Sequence, residues 1–105
     1  MNLEIDKKQV FASTAGKDFD PEKQTVFLLH GSGLSHIVWS LTEQFLSNKG
    51  LNILSLDLPG HGNSEGPCID SIEKIADWIE SVRLFLKIGK VSIVGHSQGL
   101  SLIHI

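Results

Sequence analysis

Ser97 stands in the pentapeptide Gly95-His96-Ser97-Gln98-Gly99, and its setting is the strongest sign of chemistry in the chain. Val91 to Val94 reads as a short buried strand that leads into the pentapeptide, and apolar residues that could begin a helix follow it. Flanking glycines permit a sharp turn without a Cβ clash, so Ser97 is expected to stand exposed at a sheet edge. Acyl transfer by such a serine needs a nucleophile, a base, a group to orient the base, and donors for the developing oxyanion. Ser97 supplies the nucleophile. The backbone N–H of Gln98, which follows it at a helix N-terminus, supplies one oxyanion donor. A second donor is expected from Gly31-Ser32-Gly33, with the N–H of Ser32 the first choice and that of Gly33 the second.

The other reactive residue types carry less. His96 adjoins Ser97 but points elsewhere on the turn, which argues against it as the base. His36 is placed to line a pocket mouth or to sit solvated in a first helical turn, and His104 falls on a helix after the elbow, in core or on surface. Cys68 has no His or Cys partner at metal spacing and reads as an exposed thiol. Trp39 and Trp78 fall on helices and are expected to pack, with Trp39 also a candidate for the pocket border. Neither a metal nor an organic cofactor is implied.

Positioning Ser97 requires a sheet, and the chain reads as one. Residues 9–14 alternate loosely, like an edge strand, and residues 15–24 collect turn formers. Thr25 to His30 is almost wholly apolar, which indicates a strand buried on both faces and hence a parallel sheet covered by helices. Ser35 is placed to cap a helix over 36–48, with Val38, Leu41 and Phe45 near one stripe and Gly50 to end it. Asn52 to Leu58 forms the next strand, followed by the loop Pro59 to Ser64. Asp70 with Glu73 resembles a capping box, and Ile72, Ile75, Ala76, Ile79, Val82 and Leu86 keep helical spacing up to Gly89. The order is strand, helix, strand, helix, strand, elbow, helix. That order predicts an α/β fold with right-handed crossovers, in which three glycine-rich loops open on one edge of the sheet.

The chain of 105 residues carries a net charge of −3, with no basic or acidic block to serve nucleic acid or a membrane surface. Its composition, 41% hydrophobic and 20% charged, suits one small globular domain. The start lacks a signal-peptide pattern and no apolar run is long enough to cross a bilayer. A single cysteine agrees with a reducing compartment. The expected address is cytoplasmic, and the expected partner is a small molecule, not nucleic acid or membrane; oligomeric state is left open.

Three stretches, LLHGSG with the following HIVW, LDLPGHGNS and VGHSQG, resemble the α/β-hydrolases of the esterase, lipase and acyl-transfer type. The resemblance covers residues 25–105, and the motifs stand in the family's order. It implies Ser97 as nucleophile, Ser32 and Gln98 in the oxyanion hole, and a pocket lined by residues after Gly31. Within that pattern His30, His61 and Asp57 shape loops, because the family takes its triad acid from a later strand and its histidine later still. A serine at the elbow argues against the dehalogenase and epoxide-hydrolase branches. The chain stops at Ile105, so the expectation is a partial α/β-hydrolase fold, mostly parallel sheet with crossover helices, truncated after the nucleophile elbow. Residues 1–105 are read as the amino-terminal part of a single domain. The functional expectation is a serine hydrolase acting on an ester or related acyl compound. Alternatives are an inactive fragment lacking acid and histidine, poorly soluble by itself, and a ligand-binding protein on the same fold.

Overall fold

The computed structural model describes residues 1–20, 22–31, 33–69 and 71–95, with the side chain of Ile72 also left aside. Ser32, Ser97 and Gln98 lie outside the described residues, as do Asp70, His96, His104 and the helix expected after the elbow. The elements are β1 (Asn2–Ile5), β2 (Lys8–Ser13), β3 (Thr25–Leu29), a 3-10 helix (His36–Trp39), α1 (Ser40–Ser47), β4 (Asn52–Leu56), α2 (Ile72–Phe85) and β5 (Val91–Gly95). The strands form one sheet in the order β1-β2-β4-β3-β5. β3 pairs in parallel with both β4 and β5, whereas β2 joins β1 and β4 antiparallel. The sheet is therefore mixed, parallel where the glycine loops emerge and antiparallel at the hairpin edge.

β1 is the element the residue pattern did not announce. Leu3 and Ile5 are buried and alternate with exposed Asn2 and Glu4, the pattern of a strand with one wet face. Asp6 and Lys7 make the turn with φ of 52° and 67°, a left-handed pair that Asn-Gly or Asp-Gly would have advertised more plainly. Residues 15–20 and 22–24 carry no helix or strand, as expected of a connection, which is tied down where Asn52 accepts the Asp20 N–H at 2.9 Å and donates to the Asp20 carbonyl.

The nearly continuous apolar character of β3 is explained by burial on both faces, and β4 beside it is buried throughout. On one face Phe27, Leu29, Leu54 and Leu56 pack with the hairpin residues and with Ile75, Trp78, Ile79 and Val82 of α2. On the other, Val26, Leu28 and Ile53 pack with Trp39, Leu46 and Leu51. Both tryptophans thus pack as expected. α1 departs from the helix read over 36–48 in two ways. Its first turn is the 3-10 segment, and its buried side carries Glu43 and Ser47, so Val38, Leu41 and Phe45 face outward, with Leu41 84% exposed. Apolar residues stand on two sides of this helix, and the sheet takes the side bearing Trp39 and Leu46. Gly50, at φ 80°, closes the segment as the sequence suggested.

The start of α2 also differs. Its N-cap is Ser71, whose Oγ accepts the Lys74 N–H at 3.3 Å and donates to Glu73 at 3.0 Å. The cap therefore lies one residue beyond the expected Asp70. The helix stops at Phe85, before Gly89, and the Arg83 guanidinium holds its end by donating to the carbonyls of Ile88 and Gly89. β5, expected to be buried, pairs only with β3 among the described residues. Val91 and Ile93 are half-buried toward α2 while Ser92 and Val94 are exposed on the other face. Among the described residues no helix is long and apolar enough to cross a membrane.

Candidate active site

Register decides where the loops meet. Leu29 of β3 pairs with Leu56 of β4 and with Gly95 of β5, so the three carboxyl ends finish level. The first glycine of the pentapeptide is thereby brought beside the start of the Gly31 to Gly33 loop. Ligands of open α/β sheets bind at this edge.

Three imidazoles tie the loop after β3 to the loop after β4. Fully buried His30 accepts the Leu58 N–H on Nε2 at 3.0 Å, so its proton sits on Nδ1 and is donated to the Gly31 carbonyl at 2.7 Å. His61 behaves alike: Nε2 accepts the Gly33 N–H at 3.1 Å and Nδ1 faces the Pro59 carbonyl at 3.1 Å. The two rings lie 5.1 Å apart. Burial pushes His30 below its ordinary pKa of 6.5, against a smaller opposing effect of the Gly31 carbonyl, and the nearby His61 lowers it further. Both histidines have both ring nitrogens engaged, so neither is free to take a proton from a serine.

His36 makes the third tie. Its Nδ1 lies 2.9 Å and 3.0 Å from the two oxygens of Asp57, and its backbone N–H donates to Oδ1 at 2.7 Å. The ring also rests on Phe11, centroid to centroid 4.9 Å. Asp57 is fully buried and further accepts the Asn63 N–H at 2.9 Å, while its carbonyl accepts from Ser64 Oγ at 2.7 Å. Ser64 Oγ in turn accepts the Phe11 N–H at 2.9 Å, stapling the loop to β2. Gly62, at φ 51°, passes so close to the carboxylate that a Cβ there would overlap it. The Asp-x-Pro-Gly-x-Gly-x-Ser spacing is thus a folding instruction, with each of Asp57, Gly62 and Ser64 meeting its partner inside the same loop.

Of the residues singled out for the oxyanion, Gly33 alone is described, and its N–H is directed at His61. His36 belongs to neither a free pocket rim nor open solvent; it is bound to Asp57. Residue spacing did not reveal that pairing, because the two positions are separated by 21 residues and meet only across the strand ends. Cys68 is exposed, with Sγ 3.8 Å from the Gly60 carbonyl. Among the described residues no cluster of three or more metal-ligating side chains forms. A cavity of about 320 Å³ opens between the hairpin and α2, lined by residues including Ile5, Val10, Pro59, Ile69 and Trp78. Among the described residues, none of those that line it comes from the Gly31 to Gly33 loop or from β5.

A family model described as the alpha/beta hydrolase family matches residues 26–103. The chain belongs to the alpha/beta hydrolase family. It is 33% identical over 79 residues to (E)-2-((N-methylformamido)methylene)succinate hydrolase of Acinetobacter baylyi, a match covering 74% of this chain and 30% of that enzyme. It is 29% identical over 102 residues to mouse protein ABHD8, covering 94% of this chain and 23% of that protein. The chain therefore spans under a third of the length of these relatives. Among solved structures, a CIB-like hydrolase from Thermoplasma acidophilum superposes with a TM-score of 0.84 at 22% identity, covering 98% of this chain and 52% of that one. The enol-lactonase of Burkholderia xenovorans superposes with a TM-score of 0.83 at 22% identity, covering 97% and 39%. The chain has the partial α/β fold of the alpha/beta hydrolases.

Proposed function

We propose that this chain carries the nucleophile and the oxyanion loop of a serine-dependent alpha/beta hydrolase acting on an ester or related acyl compound. The observation that supports this most is the level finish of β3, β4 and β5, which sets Gly95, and with it the start of the elbow sequence, beside the Gly31 loop. In this reading Ser97 Oγ attacks the acyl carbonyl and its proton passes to a base. The tetrahedral oxyanion is held by the N–H groups of Gln98 and of the Gly31 to Gly33 loop. The leaving group departs with a proton, and water then cleaves the acyl-enzyme. The bond from the Gly33 N–H to His61 favours Ser32 over Gly33 as the loop donor.

We place the base and its orienting acid after the elbow, as the family's order implies, and read the His36 Nδ1 contact with Asp57 as a tie between loops. His30 and His61 are committed on both nitrogens, and Asp57 is spent on loop donors. In the family's order both would follow the elbow, so full turnover is proposed for a protein that carries them. A substrate with a hydrolysable carbonyl agrees with relatives named as a substituted-succinate hydrolase and an enol-lactonase. The test is fluorophosphonate labelling of the chain in its full-length parent. Label is expected on the wild type and absent from Ser97→Ala; equal labelling of the two would remove Ser97 from the nucleophile role.

A further inference from the structure

We propose that His36 is a positioning residue, its ring N–H drawn onto the buried Asp57 carboxylate so that the Gly31 to Gly33 loop is held in one place. The purpose of that hold, presenting an oxyanion donor, rests on the serine-hydrolase reading; the hold itself does not. The loop is pinned at its root by His30 to Leu58 and at its far end by His36 to Asp57. Between them the Gly33 N–H reaches His61 at an exposed position, where a single neutral hydrogen bond competes with water. Such a bond persists when both ends of its loop are fixed and opens when one is released. The far end is the stronger anchor, because both the backbone N–H and the ring N–H of His36 converge on one carboxylate shielded from solvent. The Asn63 N–H reaches the same carboxylate from the other loop, so Asp57 holds both loops at once.

The ring has two separable contacts, the N–H to Asp57 and the face on Phe11. His36→Asn keeps a side-chain N–H donor near the Nδ1 position and loses the ring. His36→Phe keeps a ring for Phe11 and loses the donor. His36→Ala loses both. The readout is amide hydrogen exchange of Gly33, three residues away and bonded to the other loop, measured by NMR on the 105-residue chain. The Val82 amide in α2 serves as the monitor of global opening. Exchange at Gly33 should accelerate roughly tenfold relative to Val82 in His36→Phe and His36→Ala, and return to near the wild-type rate in His36→Asn. If His36→Phe matches the wild type, or if His36→Asn exchanges as fast as His36→Phe, the positioning role is wrong. Should His36→Ala fail to fold, the Asn and Phe variants still decide. None of these rates depends on catalysis, so a failed fluorophosphonate label would count against the Ser97 assignment and leave this result standing.

Discussion

Replacing Asp57 by asparagine exchanges one carboxylate oxygen for an NH₂ group and turns one acceptor of the loop junction into a donor. Oδ1 accepts the His36 N–H at 2.7 Å and the His36 ring at 2.9 Å, and Oδ2 accepts the Asn63 N–H at 2.9 Å. All three of these groups donate to the carboxylate. An asparagine in the same position must turn its NH₂ toward one of them, setting donor against donor with no water to intervene, since the residue is fully buried. A hydrogen bond to a charged group contributes about 1.5–3 kcal/mol, and a buried donor left unmatched costs about 1–3 kcal/mol. The two overlap, since relaxation of Asn63 relieves part of each, so a loss of about 2–4 kcal/mol is expected. Against a total of about 5–15 kcal/mol for a small domain, that is a large fraction. In urea, with a slope of about 2 kcal/mol per molar, the unfolding midpoint should fall by about 1–2 M. Circular dichroism of α2 would follow the transition. A midpoint for Asp57→Asn within about 0.3 M of the wild type would refute the reasoning, because it would mean the carboxylate is not needed as an all-acceptor hub.

The depressed pKa of His30 makes stability depend on pH. Its contribution is fully present above the unfolded value of 6.5 and is lost as pH falls below 6.5 through the folded value, because the unfolded chain takes up the proton first. His30→Gln keeps an acceptor near Nε2 without titrating, so the difference in urea midpoint between wild type and variant should shrink with acidification; a difference independent of pH would contradict this. Gly62→Ala places a methyl group against the Asp57 carboxylate at a φ of 51°, and should cost about 2–3 kcal/mol in thermal or urea unfolding, with an unchanged midpoint as the contrary result. Glu43 is buried on α1 with Oε1 lacking a hydrogen-bond partner among the described residues, so Glu43→Leu should raise stability by about 1 kcal/mol, and a lowered midpoint would show that the carboxyl has a structural use.

The core of β3 was legible because the apolar run Val26 to Leu29 is stable only where both faces are covered. α2 was legible through Ile75, Ile79 and Val82, whose spacing requires one buried stripe. Its cap was misplaced by one residue, since Asp70 and Ser71 are both good N-caps and the choice lies in the path of the preceding chain. The outward turn of Val38, Leu41 and Phe45 was not legible, because a helix with apolar residues on two sides does not say which side the sheet will take.

For the site, sequence alone determined the Pro59 to Ser64 loop and the family, because these depend on short motifs that a few adjacent residues specify. The reading of Ser97 as a nucleophile falls outside the described residues. Tertiary structure alone decided that Leu29, Leu56 and Gly95 finish level, that His36 meets Asp57, and that the Gly33 N–H is taken by His61. Each of those joins residues from different strand ends, and nothing in the spacing along the chain encodes which loop will lean on which. That is decided when the parallel register of the sheet closes and buried donors must find acceptors.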